Sequence, residues 1–485
     1  MKLHEIFKGI EYELIKGTME ETIIDITYDS RKAINGTLFL ANFGIKEDNS
    51  KYIPNAIQNG TKVIVISKNI NIPYDITIIK VENTTKALSF LSMNFFNYPQ
   101  NKLTTIAITG TKGKTTTSFM IKHILECAGH KCGLIGTNGI YINQIHYSTT
   151  NTTPSSYEIL KSFKEMVENK IEYAIIEVSS QALKYERVAG IIFDYAIFTN
   201  ISKDHISKYE HPSMEDYIQS KSKLFTQSHH GIFNIDDNHY HDMIKNSLIS
   251  ITTYGYHQNA NLRIKKIKLL HKKNFLGIKL ITTGLIKNKF KINHPGIFSS
   301  YNALAAILIS YLLKINIKYI KRALYSFSVP GRVELLKVSK NVDIIIDYAH
   351  NGSSTKNILS TIREYYPKRI ITIFGCGGNR SKERRYEMGE IAGIYSDFCI
   401  ITEDNNRYES FADIAADILI GMHKTNCKYK IISKREDAIE YAIKNAKKGD
   451  VIMLLGKGHE NYLEINGKKY PFNERKIIKE ILQKK

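Results

Sequence analysis

Residues 103–116 read Leu-Thr-Thr-Ile-Ala-Ile-Thr-Gly-Thr-Lys-Gly-Lys-Thr-Thr, and three kinds of local chemistry follow one another there. Residues 103–108 have the apolar character of a buried strand, 110–115 form a glycine-rich turn, and 116–128 carry helical spacing. That order puts backbone N–H groups at a helix N-terminus, where they and the helix dipole favour phosphate. Lys114 is therefore expected on the β- and γ-phosphates of ATP and Thr115 on its magnesium ion, with Gly110, Thr111, Lys112, Gly113 and Thr116 completing the cradle. The pattern departs from the usual G-x-x-x-x-G-K-[ST] loop at its first position, which Ile108 occupies.

A phosphate loop alone does not separate kinase, ATPase and ligase, so its neighbours matter. Strand candidates at 173–177 and 195–199 alternate with helices, which implies a parallel sheet wound on both faces. The first ends at Glu177, at the end of a strand where such sheets present ligand-facing groups, and a carboxylate there suits magnesium. Alone, it would read as a solvated strand end. After the second comes Thr199-Asn200-Ile201-Ser202-Lys203-Asp204-His205, whose histidine is placed to reach the same ion. A lone histidine would read as a satisfied core or surface residue.

On the N-terminal side, short β-rich runs at 37–41, 62–66 and 75–81 and a helix at 85–96 suggest a small α/β module. A turn signal at Val329-Pro330-Gly331-Arg332 interrupts the pattern. After it, apolar strands at 342–347, 370–374, 398–402 and 451–455, separated by helix-length spacers, describe a Rossmann-like module. The expected fold is α/β in three domains, at 1–100, 101–330 and 331–485.

Composition narrows the function. The 485 residues carry 68 Lys+Arg against 47 Asp+Glu, a formal charge of +21 spread along the chain and not gathered in a run. No nucleic-acid-binding signature accompanies it, so acidic small molecules are the expected partners, without nucleic acid. No segment approaches the roughly eighteen consecutive apolar residues of a membrane span, and the first thirty residues lack the apolar core of a signal peptide. A soluble, cytoplasmic protein, expected to be monomeric, follows. Five cysteines form no C-x-x-C pair, which favours reduced, mostly buried thiols over disulfides or structural zinc.

The ordered set of motifs resembles a known family. GTKGKTT at 110–116, EVSS at 177–180, TNISKDH at 199–205, SKSKLF at 220–225, YNALAA at 301–306, PGRVE at 330–334, DYAHN at 347–351 and GCGGNRSKERR at 375–385 occur in the order found in Mur ligases. Asp29-Ser30-Arg31 and the run at 37–41 extend the resemblance to the domain that holds the uridine end of the substrate, so it covers essentially the whole chain. With Asn151-Thr152-Thr153-Pro154 and Gly456-Lys457-Gly458-His459-Glu460, it points to the members that add the third peptide residue. Folylpolyglutamate synthetase shares the ATP core but not this beginning.

The resemblance implies a role for each matching residue. Lys114, Thr115, Glu177 and His205 surround the transferred phosphoryl group and its Mg2+. Lys221 matches a lysine carried as a carbamate (N6-carboxylysine), and Asn302, Arg332 and Asp347 match ATP contacts, with His350 close to them in sequence. Ser30, Thr152, Thr153, Ser179 and Arg187 match binders of UDP-MurNAc-L-Ala-D-Glu. Asp404, Asn405, Arg407, Gly456 and Glu460 match binders of the incoming amino acid, for which meso-diaminopimelate is expected because an arginine fork suits its distal carboxylate. Departures keep L-lysine open: Asn406 replaces a proline, Tyr185 a commoner glutamine, Asp48-Asn49-Ser50 the usual D-G-H, and DYAHN the commoner DYAHTP. A non-ligating NTP-binding regulator and a nucleic-acid-binding ATPase are the rival classes.

Overall fold

The computed structural model describes all residues except 42–48, 204–205, 208–209, 246, 273–274, 338–341, 367 and 484–485. The chain forms two compact units. One comprises Met1–Arg263, Gly284–Ile286 and Tyr301–Ile320; the other comprises Ile264–Thr283, Lys287–Ser300 and Lys321–Lys485. Among the described residues, no helix is long and apolar enough to cross a membrane.

The first unit holds two sheets. In the N-terminal one the order is Glu13–Lys16, Thr77–Lys80, Val63–Ile66, Thr37–Leu40, Asp25–Thr27, parallel except for the first pair. Because side chains alternate along a strand, Leu38, Leu40, Val63 and Val65 enter one core with Ala87, Leu88 and Leu91 of helix Thr84–Phe95. Phe39, Ile64 and Ile66 enter the opposite core with Ile53 and Ala56 of helix Ile53–Gln58. This sheet is tied to the next through Tyr28 Oη to Ser155 Oγ (3.1 Å) and Tyr157 Oη to Asp25 Oδ1 (2.6 Å).

The second sheet runs Ser250–Gly255, Ser228–Asn234, Phe193–Phe198, Thr104–Thr109, Tyr173–Glu177, Cys132–Gly136, all parallel. Thr104–Thr109 lies at its centre, so the loop after it opens where strand ends converge, the usual ligand crevice of such sheets. The helix after the loop is Lys114–Cys127. It starts two residues before the point where sequence spacing puts it, so Lys114 and Thr115 already belong to its first turn. An antiparallel meander, Gly139–Ile142 and Ile145–Tyr147, closes one edge and was not read from the sequence.

In the second unit the order is Glu334–Lys337, Asp343–Asp347, Val451–Leu455, Ile370–Phe374, Phe398–Ile401, Lys428–Ile431, again parallel except for the first pair. Alternation splits Ile345, Met453 and Leu455 from Ile344, Ile346, Ile452 and Leu454, which lie in cores on opposite faces. Tyr365 joins the earlier segment of chain to this unit: its hydroxyl donates to the Gly277 carbonyl (3.0 Å) and accepts from the Gly296 N–H (3.2 Å). The hairpin Tyr462–Ile465 and Lys468–Pro471 follows the last parallel strand. All five cysteines are free thiols, and the Cys399 and Cys427 sulfurs lie 3.8 Å apart.

Candidate active site

The phosphate loop takes its shape from its neighbours. Gly110 has φ +147, and a Cβ there would lie 1.9 Å from Thr199 Oγ1; Gly113 has φ +88, and a Cβ would lie 2.4 Å from Asn302 Oδ1. Only glycine fits both the dihedrals and the space. Asn200 brackets Lys112, accepting its N–H on Oδ1 (3.0 Å) and donating Nδ2 to its carbonyl (2.9 Å), and Thr199 Oγ1 also donates to that carbonyl (2.8 Å). Thr111 Oγ1 lies 3.0 Å from Tyr217 Oη and accepts from the Ser202 N–H (3.0 Å). The 199–202 segment, one strand away, thus sets the shape of the loop.

Two lysines meet on the loop. Lys114 Nζ donates to the Gly110 carbonyl (2.7 Å), and Lys221 Nζ, from helix Met214–Thr226, donates to the same oxygen (3.0 Å). Lys221 is 1 % exposed, with its ammonium 4.7 Å from the Tyr217 ring centre. A buried and a half-buried ammonium thus gather on one backbone carbonyl beside the phosphate loop.

Glu177 supplies the carboxylate. It is fully buried and accepts from Thr115 Oγ1 (2.9 Å), Thr137 Oγ1 (3.0 Å) and Ser118 Oγ (3.3 Å). Gly136 leaves room for it: a Cβ at that position would lie 2.2 Å from Glu177 Oε1. A buried carboxylate beside a threonine hydroxyl is the hard-oxygen donor set that magnesium prefers. Among the described residues no three His, Cys, Asp or Glu side chains cluster as a ready-made metal site. His205 lies outside the described residues.

The residues matched to the dipeptide substrate gather at the same strand end. Thr153 Oγ1 donates to the Glu177 carbonyl (2.9 Å) and accepts from the Ser179 N–H (2.9 Å), and its own carbonyl accepts from Arg187 Nη1 (3.0 Å). Thr152 Oγ1 is 3.0 Å from Thr137 Oγ1. Ser30 stands apart in the short helical turn Ser30–Lys32 that follows strand Asp25–Thr27, where its carbonyl accepts from Asn59 Nδ2 (2.9 Å).

In the second unit, Asp347 is buried, and burial raises its carboxyl pKa despite the Arg332 guanidinium, which lowers it. Its two oxygens accept from the Val333 and Ala349 N–H groups (both 2.8 Å). Val333 has φ +47, an unusual angle for a β-branched residue, and the bond to Asp347 holds it there. Arg332 lies over the Tyr348 ring at 4.9 Å, and its Nε is buried without a partner among the described residues. His350 donates Nδ1–H to the Tyr348 carbonyl (2.8 Å), and burial lowers its pKa. Gly331 packs so closely on the 456–460 turn that a Cβ would lie 2.2 Å from the His459 nitrogen.

The 404–407 segment meets that same turn. Lys457, fully buried, donates to Glu460 Oε2 (2.9 Å) and Asn405 Oδ1 (2.8 Å) and lies 3.5 Å from Asp404 Oδ1. Asn405 Nδ2 donates to Glu460 Oε2 (2.9 Å). A Cβ on Gly456 would lie 2.6 Å from Asp404 Oδ2. Arg407 donates Nη1 to the Gly378 carbonyl (2.7 Å) and Nε to Glu464 Oε2 (3.2 Å).

Residues 108–310 match the Mur ligase middle domain, and 331–458 match the Mur ligase glutamate ligase domain. The chain is also 42 % identical, over 99 % of each chain, to the UDP-N-acetylmuramoyl-L-alanyl-D-glutamate--2,6-diaminopimelate ligase of Caldanaerobacter subterraneus subsp. tengcongensis. It is 40 % identical, over the whole of both chains, to the ligase of that name from Clostridium perfringens. The chain belongs to the Mur ligase family. A solved structure of a ligase bearing the same name superposes with TM-score 0.71 at 25 % identity, covering 100 % of this chain and 99 % of that one.

Several side chains of this Mur ligase site escape a motif reading. Thr137 and Ser118 hold Glu177, and neither stands in a recognised run. His211 is fully buried between Asp216 Oδ2 (2.6 Å from Nδ1) and Ser180 Oγ (2.9 Å from Nε2). It links the helix that follows Ser179 to the helix that carries Lys221, and burial lowers its pKa. Lys457 lies inside the quoted Gly-Lys-Gly-His-Glu run but reads there as a spacer. Glu464 lies in a short alternating strand with nothing in its spacing to set it apart.

Proposed function

We propose that this Mur ligase joins meso-diaminopimelate to the D-glutamate carboxylate of UDP-MurNAc-L-Ala-D-Glu at the expense of ATP. The observation that carries this is the full-length likeness to ligases named for that reaction, in a chain that keeps Arg407 inside the 404–407 and 456–460 cluster. Residues 1–100 are assigned to the UDP-sugar, 101–330 to ATP and 331–485 to the incoming amino acid. A cytoplasmic monomer without a nucleic-acid partner goes with this function.

The D-glutamate carboxylate attacks the γ-phosphorus, giving an acyl phosphate and ADP. The amine then attacks the acyl carbon, and inorganic phosphate leaves. Such a reaction is driven by positioning and by neutralising developing oxygen charge. The loop 110–116, with Lys114, holds the β- and γ-phosphates; Asn302, Arg332 and Asp347 contact the nucleotide; Ser30, Thr152, Thr153, Ser179 and Arg187 hold the sugar dipeptide. Magnesium, when bound, neutralises phosphate charge, and Thr115 and Glu177 would hold it, with His205 as the further candidate. Lys221, condensed with carbon dioxide to a carbamate with loss of two protons from its ammonium, exchanges a cation for an anion, and this relieves the crowding of two ammonium groups on the Gly110 carbonyl. Asp404, Asn405, Arg407, Gly456 and Glu460 receive the amino acid.

A second amine, L-lysine, is favoured by one observation: Glu464 beside Arg407 offers a carboxylate to an ammonium. Phosphate release from ATP, magnesium and UDP-MurNAc-L-Ala-D-Glu, measured with meso-diaminopimelate, with L-lysine and with neither, decides between them. Turnover dependent on meso-diaminopimelate is expected. A preference for lysine would overturn the choice of amine alone, and turnover that ignores both would overturn the ligase.

A further inference from the structure

The formal charge of +21 has an uneven origin. No basic run occurs, but between Asp242 and Glu334 the chain holds sixteen Lys and Arg and not one Asp or Glu, so most of the excess arises there. Three strands from this stretch lie side by side, Leu262–Lys272, Phe275–Gly284 and Lys289–Ile292, the last at the edge of its sheet among the described residues. The second and third pair antiparallel, with Lys279 opposite Lys291 and Ile281 opposite Lys289. Leu280 and Phe290 oppose each other on the buried face, so alternation puts Lys279, Lys289 and Lys291 together on the other. Tyr325 lies on that same side: its ring stacks on Phe275 at 5.2 Å, and the Lys291 ammonium is 5.9 Å from its centre. Lys321 and Arg322, both exposed, come one turn earlier on the Tyr325 helix, Ile317–Ser326, and Lys265, Lys266 and Lys268 are exposed on the first strand.

Like charges set directly opposite on a sheet are destabilising, and here no side chain offsets them: among the described residues none of these eight cations forms an ion pair. Lysine on an edge strand discourages unwanted strand pairing, but that accounts for Lys289 and Lys291 alone. It gives no reason for Lys279 one strand further in, nor for the loss of every carboxylate across three strands and a helix. A surface kept free of counter-charge over this area is complementary to an extended anion. Seven of the eight cations are lysines. The arginine fork suits nucleic acid, whereas ammonium groups on flexible stems follow a fluid plane of phosphate headgroups. Tyr325, 54 % exposed, adds a ring with an apolar body and a polar tip, which suits the boundary between headgroups and acyl chains. We infer that this lysine face is a docking surface for an anionic phospholipid bilayer, on which the protein rests peripherally and reversibly.

Cosedimentation of the full chain with lipid vesicles tests this. Binding is expected to vesicles of equal parts phosphatidylglycerol and phosphatidylcholine and not to phosphatidylcholine alone, and it is expected to fade as salt shortens the Debye length from about 10 Å to about 3 Å. Each lysine near such a surface is worth about fivefold in partition. Lys265→Gln, Lys289→Gln and Lys291→Gln together are therefore expected to cost about a hundredfold, with phosphate release in solution within about twofold of wild type. The same change at Lys428, Lys430 and Lys434, exposed lysines on and just after strand Lys428–Ile431, gives a variant of equal net charge and is expected to leave binding within about threefold. Should the first triple variant fail to accumulate, Lys289→Gln alone is expected to lose about fivefold. Equal losses in the two triple variants would reduce the effect to net charge and overturn the inference, as would binding that ignores phosphatidylglycerol. Retention of a single-stranded RNA oligonucleotide without vesicle binding, abolished in the first triple variant, would overturn it in favour of nucleic acid.

Discussion

At the phosphate loop the buried Lys221 and the half-buried Lys114 share a single carbonyl oxygen, and Glu177 accepts from three hydroxyls. At the Arg407 cluster each cation already has a carboxylate: Lys457 has Glu460, and Arg407 has Glu464. The first arrangement is suited to a polyanion that brings surplus negative charge. The second is suited to a ligand that is itself a balanced zwitterion. One chain therefore prepares two kinds of electrostatic reception: ammonium groups gathered on a backbone carbonyl at the phosphate loop, and cations set beside carboxylates at the Arg407 cluster.

The largest effect that could break this contrast is at Lys114. Its replacement by alanine is expected to lower phosphate release on the order of a thousandfold, since a preorganised charge on the transferred group is lost. Activity within tenfold of wild type in that variant would show that the loop does not depend on its lysine. Next comes Gly136→Ala, whose added Cβ would lie 2.2 Å from Glu177 Oε1. About a hundredfold loss, with a raised magnesium requirement in a titration of the metal, is expected if Glu177 serves the ion. An unchanged magnesium dependence would leave Glu177 with only a structural part.

The smallest effect concerns a buried group without any charge partner. His294 is fully buried and its pKa is pushed down to about 4, chiefly by burial; Nδ1 lies 2.6 Å from Ser299 Oγ, and Nε2 finds no partner among the described residues. The unfolded chain takes up a proton near 6.5 and the folded chain only near 4, so acid favours unfolding across that window and stability is complete above it. His294→Asn keeps a donor near Nδ1 and removes the titration. In urea unfolding, it is expected to lose about 2 kcal/mol less than wild type between pH 7.5 and pH 5. Equal losses would mean that the ring is hydrated.

Much of the fold was legible because apolar runs of five or six residues between helix-length spacers leave few alternatives to a parallel sheet. Strands at 173–177, 370–374 and 451–455 match the structure residue for residue. The helix after the phosphate loop starts earlier than its apolar spacing, since Lys114 and Thr115 look like turn residues although Gly113 has already set the cap. The long strand Leu262–Lys272 carries no regular apolar alternation, because lysines interrupt its apolar residues, and so has no mark in a linear pattern. Glu177 was legible through its strand end, but Thr137 and Ser118 were not, since a hydroxyl that supports a carboxylate has no spacing of its own. The Arg407–Glu464 pair depends on a positive φ and a hairpin register, neither of which a linear pattern displays.

The bracket of Asn200 and Thr199 around Lys112 also has a thermodynamic consequence. Freezing a loose residue costs about 1–2 kcal/mol of backbone entropy, and a glycine-rich loop is where that cost is highest. Here the fold has met it already, at the moment the 199–202 segment docks. Nucleotide binding is then expected to show a small conformational entropy penalty in calorimetry, and an Asn200→Ala enzyme to meet that penalty afresh each time it takes up ATP.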